Sequence, residues 1–309
     1  MRGFSPDTSQ GSLMQHKTPL LNVFLTLVEE KSFTRAAEKL GRTQPAITQA
    51  IQRLEAELGE SLLDRSGREL TLTDAGRVVF EAARRQENLQ RELITRLGEL
   101  RNKDAGRLVI GANESMILYL LPHLIRYRQA YPKVKLVVQR SRSSEMTELL
   151  LAGDVDFGVV SYLTGDERFR SEVLYVDHLS CVVAPNHRLA HKKMLSIKDL
   201  GAETFVAHNV ASPYRDAVMK AFQQQKIQLN MDIEMPTVES IRRMVQSGLG
   251  VAFLPRVCVD QDLRTGILKE IPVSELQLER KIYLVSVDKR PLSHAAGAFQ
   301  DLMKSELAG

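Results

Sequence analysis

The chain has 309 residues, of which 43% are hydrophobic and 26% charged, with a net charge of +4. At roughly 150 residues per domain that length accommodates two domains, and the composition excludes a collagen, a disordered tail protein and a disulfide-rich secreted module. The longest apolar run, Met116 to Leu121, falls far short of the ~20 residues that a membrane helix needs.

Residues 1–18 are polar and lack the apolar stretch of a secretory signal. They are expected to form a flexible leader, with Met14 as an alternative start. Leu20, Phe24, Leu27 and Val28 then recur at helical spacing and mark a first helix. Ser32 is placed to cap a second, short helix that ends at Gly41. Thr43 is expected to cap a third, with Pro45 in its first turn, where a missing N–H costs nothing. That helix runs through Ile47, Ile51 and Leu54 to Gly59. Two short strands, Leu62–Arg65 and Glu69–Leu72, are expected next, joined by a Ser66-Gly67 turn. Three helices and a hairpin make a winged helix-turn-helix over 19–76.

Thr73 caps a fourth helix, the linker of 77–104, carrying Val79, Ala83, Leu89, Leu93 and Leu97 on one face. A lone helix of that length cannot bury its stripe in so small a domain, so pairing with a second copy is expected. After Asp104-Ala105-Gly106 strands alternate with helices. Strands near 107–112, 135–140 and 155–161 enclose helices near 116–131 and 145–151. A second set has strands near 204–207, 231–235 and 251–254, with helices near 213–224 and 238–247. Each set reads βαβαβ, an internal repeat of two α/β lobes. Segments 174–184 and 280–287 can carry the chain across twice as a two-stranded hinge, and a last helix covers 294–307. The lobes are expected at about 105–176 with 281–309, and at 177–280.

In a helix-turn-helix the second helix enters the major groove and its N-terminal side chains meet base edges. Here Gln44 and Gln49 offer amides suited to adenine, and Thr48 can hydrogen-bond or pack on a thymine methyl. Thr43 and Ser32, with Thr34 and Pro45 beside them, sit at helix starts where backbone N–H groups hold phosphates. Arg35, Arg42, Arg53, Arg65 and Arg68 are candidates for the phosphate backbone. Lys31, Arg35, Lys39, Arg42 and Arg53 stand against Glu38 alone within 31–53, a local basic excess that suits a polyanion.

These residues carry a family resemblance. Phe24 and Val28, Ser32-Phe33-Thr34-Arg35-Ala36-Ala37, Thr43-Gln44-Pro45-Ala46-Ile47-Thr48, Leu54-Glu55, Leu58-Gly59, Leu62, Arg65 and Leu72-Thr73-Asp74-Ala75-Gly76 resemble the DNA-binding domain of LysR-type transcriptional regulators. Leu121-Pro122, Tyr131-Pro132, Gly153-Asp154-Val155-Asp156 and Gly248-Leu249-Gly250-Val251-Ala252-Phe253-Leu254-Pro255 are similar to landmarks of that family's effector domain. The chain departs from the pattern at Thr43 and Thr48, where Ser is usual, at Leu63, often Phe, and at Gln49, where many members carry Arg. The resemblance implies a sequence-specific regulator of transcription, dimeric through the linker helix and often tetrameric. It also implies a two-lobed, periplasmic-binding-protein-like effector domain. Its partners are then duplex DNA at an inverted repeat, a small effector, RNA polymerase as a candidate, and no membrane.

In such α/β folds ligands bind in the crevice at the carboxyl ends of the strands. Helices near it begin at Asn113 and Ser115, Ser143 and Ser144, His208 to Ser212, and Thr237 with Ser240. Several helix starts around one cleft favour a small anion, and Arg140, Arg142 and Arg215 are candidates for added positive charge. The competing readings are an effector-independent architectural DNA binder and an enzyme. No Gly-rich phosphate loop, HExxH or GxSxG motif occurs, and His16, His123, His178, His187, His191 and His294 lack metal-ligand spacing. Neither catalysis nor a metal or cofactor is expected. Cys181 and Cys258, far apart and without a CxxC, read as reduced thiols of a cytoplasmic protein, with redox sensing as the alternative.

Overall fold

The computed structural model describes residues 18–64, 70–101, 106–163 and 165–307. The expected leader to residue 17, the Ser66-Gly67 turn, Arg65 and Arg68 lie outside them. Contacts group the chain into two compact units, one up to Leu97 with Leu151–Gly153, the other Gly98–Leu150 with Asp154 onward.

The first unit begins with α1 (Thr18–Glu30), α2 (Phe33–Leu40) and α3 (Gln44–Leu58), so Thr18 is already helical. Phe24, Leu27, Ala36, Ile47, Ile51 and Leu54 are fully buried where the three helices meet. The Ser32 hydroxyl accepts from the Arg35 N–H, and Gly41, at φ 62°, ends α2 in the left-handed region that glycine enters without strain. Thr43 stands at the N-cap of α3 but its hydroxyl makes no capping bond. The wing is a two-rung ladder of β1 (Leu63–Asp64) and β2 (Thr71–Leu72), shorter than expected. Glu55 of α3 anchors it by accepting from the Leu62 N–H at 2.8 Å. Gly76 lies so close that an added Cβ would stand 2.1 Å from the Leu62 carbonyl oxygen. The Thr73 hydroxyl accepts from the Gly76 N–H and starts α4 (Asp74–Arg101), one turn earlier than the spacing suggested.

In the second unit, β3 (Gly106–Ala112) lies between β4 (Val134–Arg140) and β5 (Phe157–Val160), parallel to both. Helices α5 (Glu114–Ala130), α6 (Met146–Ala152) and α11 (His294–Leu307) belong with these strands. One face of the sheet buries Leu108, Ile110, Tyr127, Phe157 and Phe299, the other Val109, Met146 and Leu150. Glu99, buried near the end of α4, accepts from the His294 N–H at 2.9 Å and so caps α11. The long β6 (Phe169–Val183) and β11 (Glu279–Val287) pair antiparallel, and β11 also pairs with β5. Beyond the crossing, β6 pairs with β9 (Ala252–Pro255) and β10 (Lys269–Glu270).

The second lobe repeats the order of the first. Its β7 (Thr204–His208) runs parallel to β8 (Asn230–Met235) on one side and bridges Val251, just before β9, on the other. A short α7 (Ile197–Leu200) precedes it, and α8 (Pro213–Gln224), α9 (Val238–Gln246) and α10 (Arg256–Arg264) complete the lobe. Phe205, Phe222 and Val251 form one of its cores, and Val206, Ile241 and Val259 another. The two-stranded hinge expected from 174–184 and 280–287 is therefore present as β6 and β11.

Candidate functional site

The turn between α2 and α3 leaves one end of α3 open. Gln44, Pro45, Gln49 and Arg53 are exposed, as are Thr34, Arg35, Arg42 and Thr43 before them, while Ser32 and Thr48 are half-buried. The Gln44 amide donates to the Thr48 hydroxyl at 3.1 Å, and that hydroxyl donates to the Gln44 carbonyl oxygen at 3.2 Å. These bonds tie Gln44 to Thr48 one helical turn away. Gln52, exposed four residues beyond Thr48, shares this face, although it lies outside the first turns of α3 to which the helix-turn-helix pattern points.

The basic excess counted along 31–53 is smaller in three dimensions. Lys39 of α2 pairs with Glu29 and Glu30 of α1 at 3.2 and 2.8 Å, which raises its pKa and lowers that of Glu30. Arg53 pairs with Glu57 at 2.8 Å, and Arg35 donates to the Glu30 carbonyl oxygen. Exposed pairs of this kind are worth little and exchange readily for a phosphate. On α4, Val79 packs with Phe80 against the core of its own unit and Ala83 is buried, so neither is open to a second copy. Leu89, Leu93 and Leu97 remain exposed.

Between the two lobes lies a cleft of about 1140 Å³. Asn113, Ser115, Arg140, Arg142, Ser143, Ser144, His208, Ser212 and Arg215 all line it. Thr237 does not; its hydroxyl accepts from the Ser240 N–H at 3.1 Å as a plain cap of α9. Nor is the start of α9 open to a ligand. Glu114 reaches from the first lobe, and its Oε1 accepts from the Val238 N–H at 3.0 Å. Ser144 falls inside a 3₁₀ turn, Ser143–Glu145, rather than at an α-helix start, and Glu145 already accepts from the Arg142 N–H at 3.1 Å. Arg215 is not a spare charge, because it pairs with Glu234 and donates to the His208 carbonyl oxygen.

The remaining helix starts are capped from within. Asn113 accepts from the Met116 N–H at 3.1 Å and from the Ser115 hydroxyl at 2.9 Å, and Ser212 accepts from the Arg215 N–H at 3.2 Å. Burial pushes the His208 pKa down, which favours the neutral ring. Its Nδ1 accepts from the Val210 N–H, consistent with that form. A second contact bridges the lobes: the Tyr214 hydroxyl, its pKa raised by burial, donates to the Ser161 carbonyl oxygen at 2.7 Å. Tyr162, Ser141 and Arg280 also line the cleft. They lie on strands or past strand ends, where no helix-cap pattern marks them.

Both cysteines are free and buried, and burial pushes each thiol up to about 12. A thiolate is scarce there, which argues against the redox reading. Among the described residues no His, Cys, Asp and Glu cluster suits a metal, and no helix is long and apolar enough to cross a membrane.

A winged helix-turn-helix followed by a two-lobed α/β unit with a ligand-sized cleft defines a ligand-responsive DNA-binding regulator. Two family profiles agree: "Bacterial regulatory helix-turn-helix protein, lysR family" matches residues 19–77, and "LysR substrate binding domain" matches 101–308. The chain belongs to the LysR family and is a DNA-binding transcriptional regulator with an effector-binding domain. It is 30% identical over 289 residues to the RuBisCO operon transcriptional regulator of Allochromatium vinosum, covering 93% of this chain and 95% of that protein. Its fold is similar to that of CbnR, a LysR family transcriptional regulator, with a TM-score of 0.71, 20% identity and coverage of 93% and 98%. CbnR has also been solved complexed with its target DNA. The regulatory domain of Synechocystis PCC6803 CcmR, solved in complex with 2-PG, matches 64% of this chain and 96% of its own, with a TM-score of 0.58 and 20% identity.

Proposed function

We propose that this regulator binds an inverted-repeat operator as a dimer or tetramer and responds to a small anion held between its lobes. Gln44, Thr48, Gln49 and Gln52 read base edges, while Ser32, Thr34, Arg35, Arg42, Thr43, Pro45 and Arg53, together with Arg65 and Arg68, hold the backbone. Leu89, Leu93 and Leu97 pair with a second copy. The protein works in the cytoplasm by binding, without catalysis, and RNA polymerase is its candidate partner at the promoter. The observation that carries the anionic effector is the charge of the cleft. Arg140, Arg142, Arg215 and Arg280 line it; Arg215 is paired with Glu234 and Arg140 stands 3.7 Å from Glu114, so the guanidinium donors a negative ligand meets are chiefly those of Arg142 and of the incompletely paired Arg280.

An effector that contacts both lobes favours the arrangement in which they approach, and only such a preference shifts their equilibrium. Glu114–Val238 and Tyr214–Ser161 are the cross-cleft bonds that this equilibrium makes and breaks. The resulting change is expected in footprint length or DNA bending more than in affinity. The test is a footprint titration of the full-length protein on its own promoter, with small carboxylates, inorganic phosphate and neutral analogues. The expected result is a footprint that changes with an anion alone. A response to neutral compounds only would overturn the anionic reading, and no response to any compound would favour the effector-independent binder. An architectural protein has no use for a positively charged cleft between two hinged lobes.

A further inference from the structure

The hinge holds a cation that no helix-start or strand-end pattern reveals. Arg280 lies on β11 directly opposite Asp177 on β6. Its side chain is only 4% exposed, yet it lines the cleft. Arginine is rarely buried to that degree without full pairing, because its five N–H donors lose water and must find acceptors. Here the pairing is incomplete. Nη1 stands 3.6 Å from Asp177 Oδ2, beyond hydrogen-bond length, and Nη2 donates to the Ser115 hydroxyl at 3.4 Å. Nε is buried without an acceptor, and so is Asp177 Oδ2 without a donor. The Tyr214 ring lies 5.2 Å from the guanidinium carbon in a cation–π contact, and the guanidinium also hydrogen-bonds the Tyr214 hydroxyl and favours its ionised form, which leaves Nε as the donor without a partner. Asp177 therefore balances the charge without filling the fork.

An incompletely paired planar guanidinium is matched by a group that presents two oxygens side by side, as a carboxylate or a phosphate does. The surroundings fix where such a group would act. Ser115 belongs to α5 of the first lobe, Tyr214 to α8 of the second, and Arg280 to the hinge strand between them. An oxyanion on Arg280 touches all three bodies at once, which the more exposed Arg140 on the rim cannot do. We propose that Arg280 is the anchoring cation for the effector's carboxylate or phosphate group, with the Ser115 hydroxyl and the Tyr214 ring flanking it. This assignment rests on the reading that the effector is a small anion. It makes Arg280 the residue that selects oxyanions over neutral ligands and Arg140 and Arg142 secondary to it.

The experiment is calorimetric titration of the full-length protein with inorganic phosphate, malonate, phosphoglycolate and, as a neutral control, glycolamide. Removing the arginine alone strands a buried carboxylate, so the informative variants are Arg280→Lys and the charge-balanced pair Arg280→Met with Asp177→Asn. Lysine keeps the buried charge and loses the fork. It is expected to weaken the best-bound oxyanion about tenfold, and the double variant about 30-fold or more. Arg140→Ala is expected to weaken it only about threefold, as an exposed partner does. Should the double variant misfold, Arg280→Lys decides alone. Unchanged oxyanion affinity in the Arg280 variants, with the loss appearing in Arg140→Ala, would overturn this assignment and leave the anionic effector standing. A wild-type protein that binds none of the three oxyanions overturns this assignment and the anionic reading with it.

Discussion

Leu93→Arg is the sharpest perturbation of the proposed dimer. Leu89, Leu93 and Leu97 are 65, 58 and 49% exposed and lie on successive turns of α4. Fully burying a leucine side chain contributes about 1.5–3 kcal/mol, so the exposed majority of Leu93 contributes about 1–1.5 kcal/mol per copy when two helices pair. A symmetric seam loses this twice. The dissociation constant is then expected to rise about 30- to 150-fold, with the cost of desolvating two guanidinium groups adding to it. Because Leu93 is exposed within its own protomer, the substitution is expected to leave the thermal midpoint of the isolated chain unchanged. Sedimentation equilibrium over a wide concentration range measures the shift, with Leu93→Met as the volume-conserving control. An association constant in Leu93→Arg equal to that of wild type would refute the assignment of α4 as the seam. It would also leave the exposed stripe without an account.

Reading and holding DNA separate by variant. Gln44→Ala is expected to cost about 1–3 kcal/mol at one or two base pairs and to relax preference there. Arg42→Ala is expected to weaken all sequences alike and to lower the salt slope by about one unit. Binding to a panel of mutated operators at several salt concentrations distinguishes them, and a uniform loss from both would contradict this sorting of roles. The buried thiols give a pH signature. Cys181 and Cys258 hold their protons to about 12 in the folded chain, whereas in the unfolded chain they ionise near their ordinary value of about 8.5. The folded state thus binds more protons above that value, and stability falls as pH rises towards 12 while staying unaffected below about 8. Urea unfolding at pH 8 and 10.5 is expected to show a larger loss in wild type than in Cys181→Ala/Cys258→Ala; equal losses in the two proteins would count against it.

Much of the N-terminal unit was legible because its signals are local. Ser32 caps α2, Gly41 and Gly59 end helices in the left-handed region, and Leu54 and Ile51 fall on the buried face, each signal lying in or next to the helix it defines. Capping and periodicity act over one or two turns, so spacing reveals them. Thr43 shows the limit. A hydroxyl at the right position does not oblige it to form the cap bond.

The sequence by itself determined most of the elements, though not α7, α10 or β10, together with their βαβαβ repetition and the LysR membership, since turns, caps and hydrophobic period are written in adjacent residues. Only the tertiary structure decided which charges are spent. Lys39 is neutralised from α1, Arg215 by Glu234 on a neighbouring strand, and the start of α9 by Glu114 from the opposite lobe. Each of these pairs joins residues remote in the chain, and Coulomb attraction acts on distance in space rather than along the sequence. Arg280 is the converse case, a charge that the fold buries and leaves incompletely paired. Nothing along the chain singles it out; only the crossing of β6 and β11 places it opposite Asp177, out of water and lining the cleft.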